Sequence, residues 1–204
     1  MIENSNIAIL ILAAGNSSRM GRPKQLLPWK NSSLLNHSIQ LARDLNQGET
    51  YVVLGAHRDV IIPHIRHRNI NLICNDNWRF GIGESISSGI KIIMNAKPKY
   101  NGALIMLADQ PLVNTDYLHH LIKLFNTQFG QIITSSYGNN SIGVPAIFHH
   151  SFFKELSQLT KNFGAKKVIK KHINHAKIVE PTHLLTDIDT QEDYDNLYKV
   201  NHQL

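Results

Sequence analysis

The stretch Ile9–Pro28, ILILAAGNSSRMGRPKQLLP, joins an apolar run to a short polar loop that carries two cations. Ile7, Ile9, Leu10, Ile11 and Leu12 form a nearly unbroken aliphatic series, as expected of a central parallel strand buried on both faces. Polarity then changes abruptly. Gly15 is expected to turn with positive φ, and Asn16, Ser17 and Ser18 are small enough to leave backbone N–H groups facing an anion. Arg19 and Lys24 follow in the same loop. A helix N-terminus offers only about half a unit of charge, so two full cations point to a polyanion such as a triphosphate. The loop is not of Walker type, because no G-K-[ST] ends it.

Working outward, 204 residues suit one domain over residues 1–204, large enough for a continuous core without a structural metal. The one cysteine, Cys74, excludes a disulfide framework and a cysteine zinc cluster, and after Leu72 and Ile73 it reads as a buried strand thiol. No run is long enough to cross a membrane, and MIENSN lacks the basic start and apolar centre of a signal peptide. A reducing cytoplasm is the location these features suggest. The formal charge of +6 raises nucleic acid as a partner. Its distribution argues against that, since Phe163 is the only aromatic among the lysines from Lys161 to Lys177. That segment reads as a solvated helix, part of which could face a second phosphate-bearing substrate. The twelve histidines read as surface residues, because adjacent pairs such as His119-His120 cannot both face one metal.

Strand and helix patterns alternate along the chain. Helices are expected over Leu34–Leu45, Asp59–Arg66, Glu84–Asn95, Asp116–Gln128, Phe152–Leu159, Ala165–His172 and Gln191–Val200. Strands are expected over Tyr51–Leu54, Asn71–Cys74, Ala103–Ala108, Gln131–Ser136, Gly143–His149 and Lys177–Glu180. This order predicts an α/β fold of three layers, α/β/α and Rossmann-like, with a mostly parallel central sheet.

Three further segments carry chemistry. In ALIMLADQPLV, Asp109 stands just past an apolar strand, at the carboxyl edge where open α/β sheets bind ligands. It could hold a Mg²⁺ whose other ligands are phosphate oxygens and water; Asn114 or Thr115 is better placed to cap the helix that follows. In TDIDTQEDYDNL, Asp187 and Asp189 alternate with Ile188, so both carboxylates point one way, and Thr190 can cap the last helix. In GIGESISSGI, Gly81 and Gly83 permit close backbone approach and Ser85 can donate to a base or ribose.

Residues Leu12–Pro28 resemble the signature L-A-A-G-x-S-x-R-M-G-x-x-K-x-L-L-P of nucleotidyltransferases that activate a phosphate or phosphosugar, and among them the molybdenum cofactor cytidylyltransferase family. Leu12, Ala13, Ala14, Gly15, Ser17, Arg19, Met20, Gly21, Lys24, Leu26, Leu27 and Pro28 fit. The resemblance implies that Leu12 to Gly15, Ser17 and Ala108 surround the nucleotide and that Arg19 and Lys24 grip its triphosphate as catalytic groups. Gly81, Gly83 and Ser85 would border the base. L-A-D-Q-P implies a metal-binding Asp109, and the D-I-D-T ending, with Gln191 replacing a proline, implies Asp189 and, second to it, Asp187 as the other ligand of Mg²⁺. GVPAIF, residues 143–148, would border the acceptor, whereas KNFGAKKVI departs from the family's G-D-x-G-A-R at Lys161, Asn162 and Lys166. The implied reaction moves CMP from CTP to molybdopterin with release of pyrophosphate. A molybdenum hydroxylase or its maturation factor is the implied partner, with neither nucleic acid nor membrane involved. The branch that transfers GMP has A-G-G and an aspartate before the lysine; here Ala14 and Pro23 stand instead, and the Ala14 methyl suits a pyrimidine. GMP transfer, a sugar phosphate acceptor, a nicotinamide-dependent reductase and a non-catalytic cofactor carrier are the alternatives.

Overall fold

The computed structural model describes residues 6–181 and 183–202; Met1–Ser5, most of the stretch read above as lacking a signal peptide, lie outside them. The first element among the described residues is β1 (Ile7–Ala13), buried throughout. A ribbon of β2 (Pro28–Trp29) and β3 (Ser32–Ser33) leads into α1 (Leu34–Asp44) and β4 (Thr50–Leu54). The single turn α2 (Arg58–Ile61), β5 (Asn71–Cys74), α3 (Ile82–Asn95), β6 (Gly102–Leu107) and α4 (Thr115–Leu124) follow. Then come β7 (Ile132–Ser136), β8 (Ile142–His149), α5 (Phe153–Leu156), α6 (Ala165–Lys171), β9 (Ala176–Val179) and α7 (Gln191–His202).

Seven strands form one sheet in the order β5-β4-β1-β6-β8-β7-β9. All neighbours are parallel except the two pairs that involve β8. The aliphatic run of β1 explains its central place, because its two faces feed two cores. Ala8, Leu10 and Leu12 pack with Ile86 and Ile90 of α3 and with Val168 and Ile169 of α6. Ile7, Ile9 and Ile11 pack with Leu35 and Ile39 of α1 and with Leu118 and Leu121 of α4. Gly89 lets α3 lie close on β1, since a Cβ there would stand 2.4 Å from Leu10 Cδ1. A third cluster, including Leu27, Trp29, Ile188 and Tyr194, fastens the segment after the signature loop to α7. Among the described residues no helix is long and apolar enough to cross a membrane.

Several expectations need correction. The helix expected over Asp59–Arg66 is one α-turn, because Pro63 lacks the N–H to continue it and falls in a 3₁₀ turn, Ile62–His64. The helix expected to reach Gln128 stops at Leu124, and that of Phe152–Leu159 is α-helical only over Phe153–Leu156. Cys74 is exposed rather than buried, since among the described residues β5 lies at the sheet edge with β4 as its one neighbour. His149 is no surface residue: it is buried, with Nε2 3.2 Å from the Thr127 carbonyl and Nδ1 2.8 Å from Ser151 Oγ.

Candidate active site

Where β1 ends, the signature loop begins at the carboxyl edge of the sheet. Its left-handed residues are Ser17 (φ 51°) and Gly21 (φ 65°), not Gly15 as expected. Gly15 contributes openness instead: a Cβ there would meet nothing within 4 Å. Ser17 is held in its turn because its hydroxyl accepts the Lys24 N–H at 3.1 Å. The loop is closed further by Gln25, which is buried and donates to the carbonyls of Ala13 at 2.9 Å and Gly15 at 3.0 Å. Gln25 fills a variable position of the signature, so sequence reading passed over it.

The opposing carboxylates come from two distant segments. Asp109 follows β6, and Asn114 caps α4 by accepting the Tyr117 N–H at 2.9 Å, which leaves Asp109 without a capping role. Ile188 N–H donates to the Asp109 carbonyl at 3.0 Å, seating residues 187–189 beside that turn. Ile188 is fully buried, and its two neighbours turn the other way, toward Lys24 and Gln110. Lys24 Nζ lies 2.5 Å from Asp109 Oδ2 and 3.3 Å from Asp189 Oδ1, and donates to the Ile188 carbonyl at 2.9 Å. Arg19 reaches Asp189 Oδ2 at 3.0 Å from an exposed position. Burial alone would lower the Lys24 pKa; Asp109 and Asp189 outweigh it and raise it above the ordinary lysine value, so the ammonium stays charged.

Asp187 belongs to a different set of contacts. It accepts from Gln110 Nε2 at 2.9 Å, and Gln110 also donates to the Tyr137 hydroxyl at 2.6 Å; that hydroxyl in turn donates to the Val144 carbonyl. Desolvation of the carboxyl, then the nearby Asp109 charge, pushes the Asp187 pKa up, although the residue keeps an exposed edge. Thr190 and Asp193 cap α7 reciprocally: Thr190 Oγ1 accepts the Asp193 N–H at 3.1 Å, and Asp193 Oδ2 accepts the Thr190 N–H at 2.8 Å.

These groups border a cavity of about 340 Å³ lined by Leu12 to Asn16, Lys24, Gly81, Ser85, Ala108 and Asp109. Ser85 is buried and accepts from Asn75 Nδ2 at 3.1 Å. Gly83 does not line the cavity. A Cβ there would come within 2.7 Å of the Thr160 and Phe163 carbonyl oxygens, so this glycine serves packing of α3 rather than ligand approach. Ser17 and Arg19 lie outside the cavity wall as well: Ser17 borders a neighbouring cleft, and Arg19 reaches back to Asp189. Trp78 and Arg79 do form part of the wall, with the guanidinium 5.1 Å from the Trp78 ring centre. The signal for them was a Trp-Arg pair just before the glycine loop. A second cavity of about 320 Å³ shares Leu12 and Ile82 with the first and holds Tyr137, Asp187, Ser141 and Lys166. Lys166 Nζ donates to Ser141 Oγ at 3.0 Å there.

Among the described residues no group of three or more His, Cys, Asp or Glu side chains could hold a metal by itself. Asp109 Oδ1 is nevertheless buried with no hydrogen-bond partner among the described residues. One or two carboxylates completed by phosphate oxygens and water are how a small hard divalent cation is bound, so these residues fit it.

A mostly parallel sheet whose carboxyl edge carries a cationic loop facing two aspartates is the architecture of a nucleotidyltransferase, and known proteins bear this out. The chain belongs to the MobA-like NTP transferase domain family, whose model matches residues 9–177. It is 29% identical over 199 residues to the purine catabolism protein PucB of Bacillus subtilis, covering 91% of this chain and 93% of that one. The bifunctional protein GlmU of Pseudomonas savastanoi is 30% identical over 125 residues, 60% of this chain, which spans only 26% of that protein. The Rv0371c homologue of Mycobacterium sp. strain JC1 superimposes with a TM-score of 0.84 at 26% identity, covering 98% of both chains. Rv0371c of Mycobacterium tuberculosis in complex with manganese superimposes with a TM-score of 0.75 at 25% identity, covering 95% of this chain and 98% of that one.

Proposed function

We propose that this nucleotidyltransferase moves CMP from CTP to the phosphate of molybdopterin, with Mg²⁺ and with release of pyrophosphate. The observation that carries the transfer reading is Lys24, a partly buried cation between Asp109 and Asp189 at the mouth of an apolar cavity. The base lies in the first cavity beside Ala14 and Ser85, and the Ala14 methyl narrows that space in favour of a pyrimidine. The acceptor occupies the second cavity, where the Lys166 ammonium is available to its phosphate. An acceptor phosphate oxygen attacks the α-phosphorus in line. The bond from that phosphorus to the oxygen bridging the β-phosphorus breaks, and pyrophosphate leaves with the electron pair.

Lys24 and Arg19 neutralise the triphosphate and the N–H groups of residues 15–17 orient it, the Ser18 N–H being taken by Asn16 Oδ1 at 3.3 Å, so catalysis consists of positioning and charge stabilisation. Asp109 and Asp189 would hold Mg²⁺, which when bound supplies Lewis-acid stabilisation of the phosphate oxygens. Cation and carboxylate thereby exchange partners: the ion pairs of Lys24 and Arg19 pass from the aspartates to the nucleotide. Manganese in Rv0371c supports a divalent ion here. The test is Mg²⁺-dependent pyrophosphate release from CTP, GTP, UTP and ATP, each with and without molybdopterin. CTP with molybdopterin is expected to be fastest. Equal rates with GTP would remove the cytidylyl assignment, and release that does not depend on molybdopterin would remove the acceptor.

A further inference from the structure

The carbonyls of Ala13 and Gly15 pose a problem for any polyanion in this loop. Each oxygen carries partial negative charge at the wall of the cavity where the phosphates must lie; β1 ends at Ala13, and the next backbone donor beyond β4, the Ala56 N–H, goes to the Ala14 carbonyl between them at 3.1 Å. Gln25 resolves this with one side chain. It is only 3% exposed, and the two hydrogens of its carboxamide go one to each carbonyl, at 2.9 and 3.0 Å. Its Oε1 lies 3.5 Å from Ser17 Oγ, the group that accepts the Lys24 N–H. The loop from Ala13 to Gln25 is thus closed on itself through a single buried amide. An amide is the fitting group for the place: it presents two donors and one acceptor without net charge, which neither a carboxylate nor an ammonium does.

We propose that Gln25 is the positioning residue of the anion loop, turning the Ala13 and Gly15 carbonyls away from the phosphates and holding Ser17 and Lys24 in register for them. This rests on the triphosphate reading of the loop for its consequence, but its structural half stands apart from it. Two variants test it: Gln25→Met, which keeps length and loses the hydrogen bonds, and Gln25→Glu, which keeps shape and adds a charge beside two carbonyls. In the full-length protein without nucleotide, amide hydrogen exchange over residues 14–22 is expected to speed at least tenfold in both variants, with β4, β6 and α4 unchanged. With Mg²⁺ and CTP, KM for CTP is expected to rise about tenfold in Gln25→Met and further in Gln25→Glu, while kcat changes less than threefold in Gln25→Met. Exchange that stays at the wild-type rate in Gln25→Met overturns the proposal whatever the enzyme's substrate, as does a fall confined to kcat. Should the wild-type protein bind no triphosphate, the nucleotide reading fails while the exchange measurement still decides the role of Gln25.

Discussion

Lys24 concentrates the charge contacts of the proposed site in one residue. Its ammonium touches two carboxylates and a carbonyl while its side chain is only 15% exposed, so nothing but an anion can take over its charge without cost. Lys24→Ala and Asp109→Ala are each expected to lower turnover by about 10²-fold or more. Pyrophosphate release checks this, with circular dichroism to show that the fold is retained; near-normal turnover in either folded variant rejects the assignment. A second prediction concerns His37, whose Nε2 is buried and has no partner among the described residues and whose ring bonds the Pro111 carbonyl. Burial, helped by the nearby Lys30, depresses its pKa to about 4 from an ordinary 6.5. A folded-state pKa below the unfolded one means that acid favours the unfolded chain. The contribution is therefore complete above about pH 6.5 and is lost progressively as pH falls toward 4. Urea melts across that range should show stability falling with acid, with a shallower fall in His37→Phe; identical slopes would exclude the role. The sequence exposed Arg19, Lys24 and Asp109 because their charge is abrupt against apolar neighbours. It concealed Gln25, whose partners Ala13, Gly15 and Ser17 are met only once the loop folds back on itself, and His37, whose partner Pro111 is brought from elsewhere in the fold.

At the scale of elements, the last helix decides where the second carboxylate stands. Its capping box and the buried Ile188 hold residues 187–190 against the Asp109 turn, and Tyr194 donates from α7 to the Pro28 carbonyl at 2.8 Å. Thr190→Ala is expected to cost about 1 kcal/mol, seen as a lower urea midpoint, together with weaker Mg²⁺ dependence of turnover as Asp189 loses its anchor. Unchanged metal dependence in that variant would detach the cap from the site. The alternation of Asp187 and Asp189 around an apolar residue was legible in the sequence. Their division was not: Asp189 meets Lys24 and Arg19, whereas Asp187 meets Gln110, because the two carboxylates face partners from different strand ends. Gly83 teaches the same lesson, since its missing side chain answers to the carbonyls of Thr160 and Phe163, about eighty residues away and invisible to local pattern.

Across the whole molecule, the sheet carries two apolar faces, and its centre and edges differ sharply. Phe148 on β8 is completely buried in the core against α3 and α6. Phe148→Ala is expected to cost about 3–5 kcal/mol, measured by chemical denaturation, and a loss below 1 kcal/mol would contradict its place in the core. Cys74 on the edge strand should instead react with a thiol reagent in the native protein at nearly the rate of the unfolded chain; strong native protection would show that this edge is covered. The sequence by itself determined the alternation of strands and helices, the central parallel strand and the cationic loop after it, because burial on both faces demands an unbroken aliphatic run and charge placed directly after such a run must leave the core. Only the tertiary structure decided that β5 and Cys74 lie at an edge, that β8 runs against its neighbours, and that Gln25 rather than Gly15 shapes the loop. The first two depend on which distant segments become neighbours and the third on how one loop folds back on itself, and neither leaves a periodicity in the chain.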